Sequence, residues 1–251
     1  MFPIIQIGPV ALQVPGLVLL VGLWIGLTLS ERRASWRGEN PGHLYNLVLI
    51  ALIAGVLGAR ISYAATYPNA FTANPRSLVS LNPGLLDPLA GALIAAAAAA
   101  VYLFRKNLPL WSTLDALTPL FAVMGIAIGI SHFATGDAFG TPTHVPWGIQ
   151  LWGASRHPTQ IYEIILVTFT LIVIMLLDRT SWSDTPGNIF LSFISLSAVS
   201  RLFLEAYRGD SILLDSGFRI AQVISWLVLA ACLVLLGWSF QRNHTEKDIV
   251  K

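Results

Sequence analysis

Charge is scarce in this chain. Of its 251 residues, 13 are acidic and 15 basic, 11% in all, where a soluble domain carries about a quarter. Cysteine is scarcer still. Cys232 stands alone, so an internal disulfide is excluded, and within the apolar run 223–236 it is expected to pack as a small buried or lipid-facing residue. No Cys/His cluster has zinc spacing, and His132, His144 and His157 are too loosely spaced for a metal site. No glycine-rich loop leads into a helix with Lys-Ser/Thr, which removes the phosphate-cradling nucleotide binders. No G-x-S-x-G elbow is present, which removes the common hydrolase nucleophile. There is no basic face of the kind that holds nucleic acid. No basic stretch separates Met1 from the first apolar run, so that run is expected to be retained, not cleaved as a signal peptide.

Hydrophobic residues fill the space, at 55% of the chain with a mean hydropathy of +0.69. A window of about 19 residues picks out spans near 10–30, 44–66, 86–104, 112–134, 159–177, 187–207 and 218–238. The sequence therefore predicts an all-α polytopic membrane protein of about seven transmembrane helices, a single bundle over residues 1–251. Gly22 with Gly26, Gly125 with Gly129 and the alanine run at 95–100 would let helices pack closely.

Basic residues set the expected orientation. Arg32, Arg33, Arg37, Arg105, Lys106, Arg179, Arg242, Lys247 and Lys251 fall on one side, and Arg76, Arg156, Arg208 and Arg219 on the other. The richer side is cytoplasmic by the positive-inside rule. This predicts a periplasmic amino terminus, periplasmic loops at 68–85 and 136–158, and a cytoplasmic tail at 239–251. Several tryptophans, among them Trp24, Trp111, Trp147, Trp152, Trp182 and Trp238, fall near span boundaries, as interfacial anchors do.

The exceptions to apolarity carry the functional information. Span six holds Arg201 and Glu205 one helical turn apart, and Arg208 follows at the next turn on the same face. Ionised groups at membrane depth persist mainly where they pair or serve a site. At a rise of about 1.5 Å per residue, Arg60 in span two lies roughly 10 Å below the outer surface, and Arg201 is similarly deep. His132 ends span four, while Arg156, His157, Gln160, Tyr162 and Glu163 sit in the following loop and the head of span five. A proton pathway would string polar groups through both leaflets. This clustering in the outer half describes a pocket open to the outer leaflet.

Guanidinium groups at that depth suit phosphate, which they hold bidentately while staying charged. A phospholipid head group supplies such a phosphate. The alternative is a structural ion network of Arg60, Glu163, Arg201 and Glu205 holding helices together, with Arg60 also able to snorkel outward.

The blocks themselves resemble one family. Arg156-His-Pro-Thr-Gln-Ile-Tyr-Glu163 resembles the Arg-His-Pro-Ser-Gln-Leu-Tyr-Glu block of the prolipoprotein diacylglyceryl transferases. Arg201-Leu-Phe-Leu-Glu-Ala-Tyr-Arg208 is similar to their Arg-x-x-x-Glu-Phe-x-Arg, Gly58-Ala-Arg-Ile-Ser-Tyr63 to their Gly-Ala-Arg-x-x-Tyr, and Ser216-Gly-Phe-Arg-Ile-Ala-Gln-Val-Ile-Ser225 to the Gly-Gln-x-x-Ser start of their last helix. The chain departs from the family pattern elsewhere. Gly129-Ile-Ser-His-Phe-Ala-Thr-Gly-Asp137 stands in place of Gly-Arg-x-Gly-Asn-Phe-x-Asn-Gly-Glu, Asp87-Pro-Leu-Ala-Gly91 lacks the family's histidine, and Val14-Pro-Gly16 replaces Trp-Tyr-Gly.

The resemblance implies transfer of a diacylglyceryl group from phosphatidylglycerol to the lipobox cysteine of prolipoproteins in the bacterial inner membrane, with no cofactor. It implies membrane lipids as surroundings and no nucleic-acid partner. A thiol of pKa about 8.5 needs a base or a positive field, and the departing phosphate needs cations. Arg201 is then the phosphate clamp, Arg60 or Arg156 a second cation, and Glu205 the group that orients an arginine. His132 is the candidate base by position, with a helix-capping role as its alternative. His157, Gln160 and Tyr162 match the family block and would contact substrate or hold the loop to the bundle, and Glu163 and Arg208 complete the substrate-binding set. A non-catalytic lipid-binding or scaffolding subunit on the same fold is the competing function. A transporter of lipid-like molecules is a third, disfavoured by polarity confined to one leaflet.

Overall fold

A backbone in lipid must satisfy its own N–H and C=O groups, and a continuous helix does so within each segment. The computed structural model describes residues 4–7, 10–69, 85–215 and 217–249. Among them are seven helices long and apolar enough to cross a membrane. These are α1 (Val14–Trp36), α2 (Pro41–Thr66), α3 (Pro88–Lys106), α4 (Leu110–Thr135), α5 (Thr159–Leu177), α6 (Asn188–Glu205) and α7 (Ile220–Ile249). Each overlaps a span read from hydropathy. Most of the expected loop at 68–85 (residues 70–84) and the last two residues of the expected tail lie outside the described residues.

Two boundaries differ from expectation. The apolar part of α7 ends at Gln241, but the helix continues to Ile249. No proline or glycine interrupts residues 238–249, so the polar tail has no reason to leave the helix. At the other end of the scale, α6 stops at Glu205, two residues short of the span expected at 187–207. Short strands also appear: β1 (Ile4–Ile7) pairs with β2 (Val10–Gln13), whose residues were expected to open the first span, and β3 (Ile149–Leu151) pairs with β4 (Ala154–Arg156) inside the loop expected at 136–158, both antiparallel.

The helices fall into two compact units, Glu31–Thr113 and the remainder, Met1–Ser30 with Leu114–Lys251. In the 31–113 unit, α2 and α3 meet through small residues. A methyl on Gly91 would come within 2.8 Å of the Ala59 Cβ, and one on Gly55 within 3.0 Å of the Ala95 Cβ. Close approach of backbones is how membrane helices gain packing energy when no water is there to expel. Asp87 starts α3. Its carboxylate accepts the Leu89 and Ala90 N–H groups, each at 3.1 Å, and the Ser62 hydroxyl at 2.8 Å, while Pro88 occupies the first turn. The Ala90 N–H and the Ser62 hydroxyl favour the charged form, so the Asp87 carboxyl lies below the usual aspartate range. At the far end Asn107 adopts a left-handed cap (φ 50°), and Arg105 and Lys106 face the helix dipole.

The larger unit contains α5, α6 and α7 with most of α4 and the first part of α1. Gly22 and Gly26 of α1 lie against Ala127 and Leu120 of α4, and Gly125 and Gly129 of α4 lie against Val167 and Ile164 of α5. Pro119 interrupts the α4 ladder. One turn of slack there is taken up by Ser30, fully buried, whose hydroxyl oxygen accepts the Leu120 N–H at 3.1 Å. The start of α6 has no side-chain cap of its own, because its N-cap is Gly187. Asp115 of α4, 3% exposed, caps it from outside, accepting the N–H groups of Gly187 at 2.6 Å and Phe190 at 2.7 Å. Around it Ala122, Ile174, Ile189 and Phe193 form an apolar core. Asn188 ties the ends together by donating to the Trp182 carbonyl and accepting from Ser239 of α7.

Candidate functional site

At the opposite end of the same unit, α4 finishes, α5 begins and α6 finishes. The chain leaving α4 turns through Gly136 (φ 86°) and Ala138 (φ 53°) and then runs extended. It forms a ladder on both sides. Thr141 donates to the Tyr207 carbonyl and Gly209 donates to Phe139, while His157 donates to Thr141 and Thr143 donates to Ser155. Gly140 sits at the crossing, where any Cβ would collide with the His157 carbonyl and one on Gly209 would come within 2.8 Å of the Gly140 oxygen. Only glycine lets these strands touch. The β3–β4 hairpin follows, turning at Trp152 and Gly153, both with positive φ.

The residues of the Arg156–Glu163 block divide into two groups. Arg156, His157 and Tyr162 hold the loop. The Arg156 guanidinium donates to the carbonyls of Leu151 and Gly140 and lies 5.0 Å from the centre of the Phe139 ring. His157 packs edge-on against Tyr207 and sits with Nδ1 3.3 Å from the Tyr162 hydroxyl, which itself accepts the Trp147 indole N–H at 2.7 Å. Thr159 fastens the start of α5 by donating to the Ala138 carbonyl. These contacts tie the loop to the helix ends.

Gln160 and Glu163 contact the end of α4 and the chain leaving it. Glu163 Oε2 lies 3.2 Å from His132 Nδ1, across the α4–α5 seam. A carboxylate at Nδ1 favours the imidazole tautomer with its proton there, which leaves Nε2 as the basic nitrogen. His132 is about one-third exposed and so is reachable. Gln160 is fully buried and donates from Nε2 to the Asp137 carbonyl at 2.7 Å.

On α6, Arg201 Nη2 lies 3.3 Å from Glu205 Oε2. The distance is that of an ion pair, yet the oxygen receives no hydrogen bond because no N–H is aimed at it. Glu205 is 1% exposed, while the Arg201 side chain is 37% exposed. Arg201 thus has a buried counter-ion at its base and an accessible guanidinium. Arg208 does not extend this stripe. The helix has ended, and Arg208 bridges to Gly140 and pairs bidentately with Asp210, at 2.9 and 2.7 Å. Burial works against its charge, but the Asp210 hydrogen bond and Coulomb attraction outweigh that and raise its pKa above the ordinary arginine value. Arg156 and Arg208 are therefore committed to the loop and to Asp210, and Arg201 remains the accessible cation on α6. Arg60 lies on α2 in the 31–113 unit, half-buried.

Three contributors were not anticipated. Asp115 caps α6 through the Gly187 and Phe190 N–H groups, far along the chain, so only its unusual position in an apolar span could have flagged it. Asp210 and Trp147 act across loops, for which the sequence has no periodic signal.

Compared with known families, residues 3–238 match the model described as prolipoprotein diacylglyceryl transferase. The chain is 29% identical over 263 residues to the phosphatidylglycerol–prolipoprotein diacylglyceryl transferase of Nostoc sp., an alignment covering 98% of this chain and 92% of that one. It is 28% identical to the protein of the same name from Lactiplantibacillus plantarum, covering 97% and 90%, and 27% identical to that of Chloroflexus aggregans, also covering 97% and 90%.

Proposed function

The chain belongs to the prolipoprotein diacylglyceryl transferase family, and from that premise we propose that it moves a diacylglyceryl group from phosphatidylglycerol to the lipobox cysteine thiol of prolipoproteins. The thiol loses its proton to a base. The sulfur forms a bond to the terminal glyceryl carbon, the bond from that carbon to the phosphate oxygen breaks, and glycerol phosphate departs. His132 is the base, acting through Nε2 with Glu163 holding Nδ1. Arg201 grips the phosphate and stabilises the leaving anion, and Glu205 holds Arg201 at its base. Arg60, in the 31–113 unit, is a lipid-binding cation in this reading by its match to the family's Gly-Ala-Arg-x-x-Tyr block. Arg156, His157, Tyr162 and Arg208 position the loop over the site. The amino terminus and the loop at 136–158 face the periplasm, as the basic residues dictate, in a bacterial inner membrane.

The observation that carries this reading is the His132–Glu163 contact at the end of the unit that also presents Arg201. Lipidation of a lipobox peptide by the purified protein in phosphatidylglycerol vesicles, followed by mass shift, tests it, together with complementation of a strain lacking its own transferase. Absence of any lipidated product from well-folded protein rejects it. The non-catalytic reading is favoured by one observation: Asp87, where the family has histidine, spends its carboxylate on capping α3. The same assay decides, since a lipid-binding subunit would retain phosphatidylglycerol and yield no product.

A further inference from the structure

The chain between α6 and α7 forms a ribbon that the site does not use. The Leu214 N–H donates to the Phe218 carbonyl at 2.8 Å and the Ile220 N–H to the Ile212 carbonyl at 3.1 Å, with Leu213 opposite Arg219. Residues opposite each other in an antiparallel pair share a side, and neighbours along a strand alternate. Ile212, Leu214, Phe218 and Ile220 therefore lie on one side, and Leu213 and Arg219 on the other. Every residue on the first side is apolar. Ile212 is 71% and Phe218 65% exposed, so the described residues leave that side largely uncovered. The charges of the segment are engaged within it. Arg219 donates to the Arg208 carbonyl at 3.3 Å and to the Ser211 hydroxyl oxygen at 3.4 Å, and Arg208 is paired with Asp210.

What covers this side follows from where it leads. Ile220 belongs to the ribbon and is also the first residue of α7, whose apolar span runs Ile220–Gln241. Residues 220, 224 and 227 lie along one stripe of a helix. Ile224 and Leu227 are exposed, Leu227 at 66%, as a residue of a span is where it meets acyl chains. The apolar side of the ribbon thus continues, through a shared residue, a surface that faces lipid. A contiguous apolar face of this kind marks a contact, since a connection bathed in water gains nothing from it. We propose that residues 212–220 form a lipid-contacting ribbon in the leaflet on the His132 side. Ile212, Leu214 and Phe218 sit at the boundary between head groups and acyl chains, and Asp215 stays at the level of the head groups. Interfacial amphipathic segments sink an apolar face by about 5–10 Å in this way. The contact holds the α6–α7 connection down at lipid level, adding a monotopic attachment to the seven spans. It needs those spans and stands whether or not the chain transfers a diacylglyceryl group.

The test places single thiols in a Cys232→Ala background: Ile212→Cys and Phe218→Cys on the apolar side, Asp215→Cys in the turn, and Ile224→Cys in the span. Each carries the same environment-sensitive fluorophore, in full-length protein reconstituted into phosphatidylcholine–phosphatidylglycerol vesicles. Quenching by lipids brominated on their chains reads contact with hydrocarbon, and quenching by iodide reads contact with water. Labels at positions 212 and 218 are expected to be quenched by brominated chains to within about twofold of the label at 224, and by iodide at least about threefold less than the label at 215. Iodide quenching at 212 and 218 equal to that at 215 overturns the proposal, because the ribbon then stands in water. Protection of both labels from either quencher also overturns it. That result means a protein cover, and protection lost on dilution into excess lipid identifies a second copy. Iodide quenching relieved by a lipobox peptide marks a peptide dock and overturns the proposal as well. The two positions report on the same side, so a variant that misfolds leaves the other to decide.

Discussion

The two ends of the larger unit are built on opposite terms. At the Asp115 end, the carboxylate takes two backbone N–H groups, Asn188 bonds on both sides, and Ser30 accepts the Leu120 N–H. At the His132 end, Gln160 keeps an oxygen with no donor among the described residues, and Arg201 holds an exposed guanidinium against a buried carboxylate. Satisfied buried networks rigidify a fold, and unsatisfied ones are tolerated where something else completes them. The first end supports, and the second receives.

That contrast can be broken by substitutions of decreasing effect. Arg201→Ala should reduce transfer by about 10²–10³-fold and abolish phosphatidylglycerol binding in protein that still folds in detergent, with some loss of melting temperature because Glu205 loses its counter-ion. Lipid binding equal to wild type would remove Arg201 from the clamp. Asp115→Ala should do the reverse. Leaving two buried N–H groups unpaired costs about 2–3 kcal/mol, read as a lower melting temperature, while transfer per folded molecule is retained. If activity fell with stability untouched, the two ends would not be separable. Glu163→Gln should lower kcat by about tenfold and leave the lipid KM alone, since it disturbs only the positioning of His132; His132→Ala combined with it should add to His132→Ala alone by little, as a shared pathway requires.

The smallest effect comes from the other carboxylate cap. Asp87 has a depressed pKa in the folded state, so its contribution to stability is present above about pH 4 and is lost as pH falls through the folded value. Asp87→Asn should flatten the melting curve against pH in that acid range and lower the melting temperature slightly near neutrality, where the charged cap is fully present. A variant that kept the full acid dependence would show that other carboxylates set it.

How much of this was legible follows from what each residue contacts. The seven helices announced themselves because an apolar run of sufficient length needs no partner to be recognised. Glu163 and His132 were each named from sequence, but their pairing was not, because 31 residues and a folded loop separate them. Arg208 was misplaced because helical spacing was carried past Glu205. What ends the helix is a ladder to Gly140, a contact no local pattern encodes. Asp115 was overlooked for the same reason: its partners are amides 72 and 75 residues away.

The crossing at Gly140 and Gly209 has a practical corollary. No side chain fits there, whereas Gly153 at the hairpin tip has open space on every side. Epitopes, fluorophores or inserted domains have room at that tip, and a library of variants should show residues 140 and 209 as intolerant of change for lack of space, with 153 held to glycine or asparagine only by its positive φ.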